Sequence, residues 1–347
     1  MVPREPRQPG GKPVMPPGWT LPPPLLLLLL PLVTAAPCSP QPNATRFVCT
    51  EPTLVTFPTG LPPTTVAISV EFTGLAVLLP TALAGLPHLL ELHLSSNRLA
   101  TLPEALLDPV PTLRVLDLTN NLLTHLPAGI FAPTSHLQHL VLRENRLQVL
   151  QPAWFLHLPR LEWLDLAANT LTEVPPGAFG PLHSLRNLDL SHNRLASLAP
   201  AALAGLRLLE RLDLEGNGLG TLPPSTFTST PNLSLLFLAD NQLEVLPSGI
   251  FTPLSHLRVL DLARNRLREL ELPPPAPPGP SLDLDISSNP WDCGCQLLAL
   301  LGRVAPHLTA TNSTLCHGPP RYQGQEVAAV LRDGDTGCDT KGDWPDP

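Results

Sequence analysis

The chain has 347 residues, 43% of them hydrophobic but only 4% aromatic, with 47 prolines and a formal charge of −8. A chain this acidic is a poor candidate for nucleic-acid binding, and so few rings leave leucine to fill the interior. Its six cysteines are an even number confined to the two ends, which points to disulfide-bonded ends in an oxidising compartment.

In chain order, residues 1–36 read as an export signal. Arg4, Arg7 and Lys12 give a basic leader, Leu25 to Leu30 with Leu32 and Val33 an apolar run, and Thr34, Ala35 and Ala36 a small-residue cleavage site. The run is too short to span a bilayer, which takes about 20 apolar residues. Three bases and Glu5 leave with the leader, so the charge goes from −8 to −10. No second apolar stretch follows, and the mature product is expected to be soluble and extracellular, without a membrane anchor. Residues 37–63, holding Cys38 and Cys49, read as an N-terminal cap.

Residues 64–288 keep one register. Asn97, Asn121, Asn145, Asn169, Asn193, Asn217, Asn241, Asn265 and Asn289 fall 24 residues apart. Leucine stands five before each, leucine or (last) Ile286 three before, and leucine or (last) Trp291 two after. The resulting L-x-x-L-x-L-x-x-N-x-L-x-x-L is the leucine-rich-repeat signature, with the period of one solenoid coil. The fold expected is an α/β-type solenoid: a horseshoe with a parallel concave sheet and disulfide-bonded caps. One further coil precedes the first asparagine, with Thr73 in its place. Residues 289–340 read as a cysteine-rich C-terminal cap and 341–347 as a tail.

The register assigns each position a face. The asparagine should be buried where the chain leaves the strand, its amide satisfying backbone groups there. Ten residues later, Leu107, Phe131, Phe155, Phe179, Leu203, Phe227 and Phe251 form an apolar spine. Prolines opening the outer segments, as at Pro103 and Pro127, discourage strand pairing there. The segment 273–280, almost all proline, should be extended.

Side chains six, four and two residues before each asparagine should face outward on the sheet. The middle column runs Ser69, His93, Asp117, Val141, Asp165, Asp189, Asp213, Phe237, Asp261 and Asp285. Glu71, Glu91, Glu215 and Asp283 add acid from the flanks, with Arg143 and Arg211 as basic exceptions. Strands about 4.8 Å apart bring such carboxylates together into one negative potential. Trp163 beside Asp165, and Leu235, Phe237 and Val259 between Asp213 and Asp261, interrupt the acid with apolar surface. Outward aromatics of this kind carry binding energy, so these residues are the expected contact site for a basic protein partner.

Chemistry is otherwise sparse. The glycines of 216–220 surround a repeat turn and are no phosphate loop, and no nucleophile elbow or zinc-protease helix appears. No catalytic residue, cofactor or metal site is expected. Cys293, Cys295, Cys316 and Cys338 allow three pairings, of which Cys293 with Cys295 would be strained; a zinc site there has only His317 as a ring-bearing neighbour. Asn43, Asn232 and Asn312 head Asn-x-Ser/Thr acceptors, candidate glycan sites in an exported chain.

The segments AISVEF (67–72), ELHLSSN (91–97), LRVLDLT (113–119), LVLREN (140–145) and DISSNPW (285–291) together resemble the secreted leucine-rich-repeat glycoproteins of the leucine-rich alpha-2-glycoprotein family. The chain is expected to be a monomer, and the resemblance implies a secreted plasma glycoprotein, not an enzyme. It also implies binding of cytochrome c, which is strongly basic, and modulation of transforming growth factor beta receptor signalling that promotes angiogenesis. The cap motif NPWxCxC (289–295) resembles that of extracellular repeat proteins and implies Cys293–Cys316 and Cys295–Cys338, with Cys38–Cys49 at the front. Two alternatives are a non-catalytic carrier subunit of a plasma enzyme, as in carboxypeptidase N, and a matrix or adhesion module akin to small proteoglycans.

Overall fold

The computed structural model describes residues 38–40, 45–272, 282–304, 308–309 and 314–333, all within one compact unit spanning 36–347. The segment expected to be an export signal, the proline run 273–280, Asn43, Asn312, Cys338 and the expected tail lie outside the described residues. Among those described, no helix is long and apolar enough to cross a membrane.

Strands of two to four residues stack into one sheet. β1 (Ser39–Pro40) pairs antiparallel with β2 (Arg46–Cys49). From β2 the sheet runs parallel through β3 (Ala67–Val70), β4 (Glu91–His93), β5 (Val115–Asp117), β6 (His139–Val141) and β7 (Trp163–Asp165). It continues through β8 (Asn187–Asp189), β9 (Arg211–Asp213), β10 (Leu235–Phe237), β11 (Val259–Asp261) and β12 (Asp283–Asp285). From β3 onward each residue pairs with the one 24 positions later, as Leu212 does with Leu236 and Leu236 with Leu260. A strand this short buries little beyond its central residue, so stacking similar coils is what builds a continuous core.

Each ruler asparagine fastens one coil to the coil before it. Asn121 Nδ2 donates to the carbonyls of Leu94 (2.9 Å) and Leu118 (3.1 Å), and its Oδ1 accepts from Leu99 N–H at 3.0 Å. The same pattern recurs through Asn289, whose Oδ1 accepts from Leu267 N–H. In the first coil, Thr73 makes a relay: its hydroxyl accepts from Leu75 N–H and donates to Asn97 Oδ1. Immediately before Thr73 and before each asparagine the backbone turns left-handed, from Phe72 (φ 56°) through Ala168 (51°) and Arg264 (53°) to Ser288 (56°). Gly216 fills this place once, and a Cβ there would lie 2.3 Å from the His192 ring.

Among the described residues, the outer segments of the coils are turns, with one 3-10 stretch at Pro152–Phe155, and cover the buried Phe column. Neighbouring rings meet there: Phe155 and Phe179 at 5.5 Å between centroids, Phe227 and Phe251 stacked at 6.1 Å. Trp154 adds a bond from its indole to the Leu126 carbonyl in the preceding coil.

Both ends are closed covalently. Cys38 joins Cys49 and Cys293 joins Cys316, two of the three pairings implied by the resemblance. Cys295 is also disulfide-bonded. In the C-terminal cap, β13 (Trp291–Asp292) pairs with β15 (Cys316–Gly318), and β14 (Leu308–Thr309) extends the main sheet beyond β12. Helix α1 (Cys295–Val304) contributes buried Leu297, Leu298 and Leu301 as the lid on the last coil, packed with α2 (Val327–Asp333). Trp291 is fully buried, its indole donating to the Ile286 carbonyl at 2.7 Å.

Candidate functional site

The middle column lies along the open face of the sheet, but its aspartates do two jobs. In Asp117, Asp165, Asp189, Asp261 and Asp285, Oδ1 accepts the N–H two residues on at 2.9 Å; in Asp213 the bond is 3.1 Å. This is an Asx turn at the strand exit. In these six coils one carboxylate oxygen therefore belongs to the fold, and the other to the face.

Two of the expected contact residues are buried. Asp165 is only 8% exposed and Asp213 only 7%, so neither presents a free carboxylate. Asp165 sits between Val141 and Asp189 of the neighbouring strands, and Asp213 is held by Arg211 Nη2 at 2.8 Å. Asp189, Asp261 and Asp285 remain partly exposed, as do Leu235, Phe237 and Val259, and Trp163 is 38% exposed.

The flanking acids also contribute less negative potential than their number implies. Arg46 of the N-terminal cap forms a two-pronged pair with Glu91, at 2.7 and 3.0 Å, which holds the Glu91 carboxyl below its ordinary range. Arg264 binds Asp240 at 2.6 Å and reaches Glu215 at 3.5 Å. In the middle column burial pushes the Asp165 carboxyl up to about 6, with the Asp189 charge adding to it. Asp213 and Asp261 shift upward for the same reasons, burial first and then the neighbouring carboxylates Asp189 and Asp285.

The apolar interruption is real but partly roofed. Leu235 pairs with Arg211 and Val259, and Phe237 with Asp213 and Asp261, so the register brings the expected patch together. Arg211 then lays its guanidinium 4.3 Å from the centre of the Phe237 ring. Sequence reasoning marked Arg211 only as a basic exception; its place over the ring follows a diagonal between coils. Trp163 is three strands from this patch and pairs with His139 and Asn187.

Two features were not singled out from sequence. Glu71, His93 and Asp117 cluster at the first coils of the face, and the 24-residue spacing of His93 and Asp117 was the available signal. An apolar recess lined by Val55, Phe57, Leu61, Val77 and Leu79 lies beside the N-terminal cap. Of the candidate glycan sites, Asn232 is exposed, and its amide donates to the Arg207 carbonyl at 2.9 Å.

What these elements define is a capped solenoid whose sheet offers one long open face, the architecture of a binding scaffold. The leucine rich repeat profile matches residues 63–123, 111–171, 159–219 and 215–267, and the chain belongs to the leucine-rich-repeat family. It is 57% identical over 72 residues to a phospholipase A2 inhibitor beta of Elaphe climacophora and 56% identical to a phospholipase A2 inhibitor of Gloydius brevicaudus siniticus. Each match covers 20% of this chain and 22% of the relative, so the chain spans about a fifth of the length of these curated relatives. A Leptospira interrogans LRR protein superposes with a TM-score of 0.62 at 29% identity, over 74% of this chain and 69% of that one. The mouse RP105/MD-1 complex contains a chain with the same fold, at TM-score 0.62 and 24% identity over 82% of this chain and 53% of its own.

Proposed function

We propose that this protein is a secreted, non-enzymatic glycoprotein that captures a basic protein on the sheet face between β8 and β12. The observation that carries the reading is the half-exposed Leu235, Phe237 and Val259 patch set among Asp189, Asp261 and Asp285. Apolar surface ringed by carboxylates suits a partner with its own apolar centre and a cationic rim. The Asp261 carboxyl is pushed up first by burial and then by its neighbour Asp285, and a cation docked on this face would relieve the second of these. Cytochrome c and transforming growth factor beta receptor components are the candidates that the family resemblance supplies, with angiogenic signalling as the setting.

The test is calorimetric titration of cytochrome c into the purified protein and into a folded variant combining Phe237→Ala, Asp261→Asn and Asp285→Asn. Affinity should fall about tenfold or more at low salt, and the difference should shrink as salt rises. Equal affinity for both proteins would sink the reading. A second reading rests on the inhibitor relatives: the partner is an extracellular enzyme of the phospholipase A2 class. The same titration with such an enzyme separates the two.

A further inference from the structure

At the opposite end of the open face, three successive coils bring Glu71, His93 and Asp117 together. Each offers one ligand atom, and these atoms lie within 4.8 Å of one another. His93 Nδ1 stands 3.9 Å from Asp117 Oδ2. All three side chains are partly exposed, so an ion in solution can reach them.

The carboxylates are positioned by groups that would not touch an ion. The hydroxyls of Ser69 and Ser95 donate to the two oxygens of Glu71. The N–H of Thr119 holds Asp117 Oδ1 at 2.9 Å and leaves Oδ2 toward His93. Supporting bonds of this kind orient ligands in metal sites. Glu91, on the same strand as His93, is taken up by Arg46. His93 is the one histidine in the middle column, so no other acidic stretch of that column supplies a nitrogen donor.

We propose that Glu71, His93 and Asp117 form a three-ligand site for a divalent transition ion, zinc in the first place. An imidazole with two carboxylates suits zinc, whereas calcium and magnesium take all-oxygen sets. Zinc bonds to nitrogen and oxygen are about 2.0–2.2 Å, so the ligand atoms must draw together, which side-chain rotation on fixed strands allows. Three protein ligands leave the fourth tetrahedral position facing solvent. The site is separate from the apolar patch and does not rest on the reading of that patch.

Zinc alone is the probe. Calorimetric titration of the chelator-treated full chain should show one saturable equivalent. His93→Gln and Asp117→Asn should each weaken it at least tenfold, while His256→Gln, an exposed residue far along the chain, should not. Thermal unfolding without zinc shows that the variants are folded. X-ray absorption of the zinc form should show a single imidazole among oxygen neighbours. No saturable uptake, unchanged affinity in folded His93→Gln, equal affinity for calcium, or a shell with sulfur or several imidazoles would each overturn the site.

Discussion

Arg211 places its guanidinium carbon 4.3 Å from the centre of the Phe237 ring while donating to Asp213 at 2.8 Å. One side chain thus screens the main exposed aromatic of the patch and neutralises the acid beside it. Its removal should act on binding and stability in opposite senses. Arg211→Ala should cost about 1–3 kcal/mol of stability, since it removes both a cation–π contact and the partner of the largely buried Asp213. For a cationic partner the same change should raise affinity, because a positive charge leaves an acidic face. Weaker binding of cytochrome c by folded Arg211→Ala, measured calorimetrically, would show that Arg211 itself is a contact.

Asn193 should be intolerant in a graded way. Its Oδ1 accepts from Leu171 N–H, and its Nδ2 faces the carbonyls of Leu166, Leu190 and Ser191 at 3.0–3.1 Å. Alanine orphans buried groups at about 1–3 kcal/mol each. Aspartate should be worse than alanine, since it keeps the acceptor but turns a second oxygen toward three carbonyls. Urea unfolding of the two variants gives the order, and a reversed order would contradict the donor role.

Asp165→Asn should stabilise the protein at neutral pH. The folded state keeps the Asp165 proton up to about pH 6, whereas an ordinary carboxyl releases it near 3.8. Between those values the folded form binds more protons, so raising the pH through this window lowers stability. Above it the penalty is complete, and below the unfolded value it vanishes. Asparagine keeps the Oδ1 bond to Ala167 N–H without the buried charge. The expected gain at pH 7.5 is about 1–2 kcal/mol, below the ceiling of about 3 kcal/mol set by the shift. Denaturant titrations at pH 4 and 7.5 check both the gain and its loss in acid.

Ala168 sits at φ 51°, in the left-handed region where a Cβ costs about 1–2 kcal/mol. Glycine loses about 0.4–1 kcal/mol through the unfolded chain, so Ala168→Gly should gain roughly 0.5–1 kcal/mol net. Ala168→Val should lose stability. Thermal melts of both read the sign directly.

These residues also show how far the sequence could be read. The asparagine ladder and the Phe spine were legible because their partners lie one period away, and the 24-residue spacing states that outright. The left-handed column was not. Its occupants include Phe72, Glu144, Ala168, His192 and Arg264, a set with no shared chemistry, so only the backbone reveals it. The burial of Asp165 and Asp213 was hidden for a related reason, since it depends on what the neighbouring coils lay over them. Arg211 over Phe237 joins the outer position of one coil to the middle position of the next. A column-by-column reading cannot see such diagonals.

The split role of the aspartates has a consequence for how such a surface can diversify. Only Oδ1 is committed to the strand exit, so exchanging the outer oxygen for an amide nitrogen alters charge and leaves the scaffold standing. Val141 and Phe237 occupy the same place with no carboxylate at all, and the sheet register runs through both unbroken. Each coil is thus an independently editable letter in a linear message, and partner preference can be rewritten one coil at a time without renegotiating the fold.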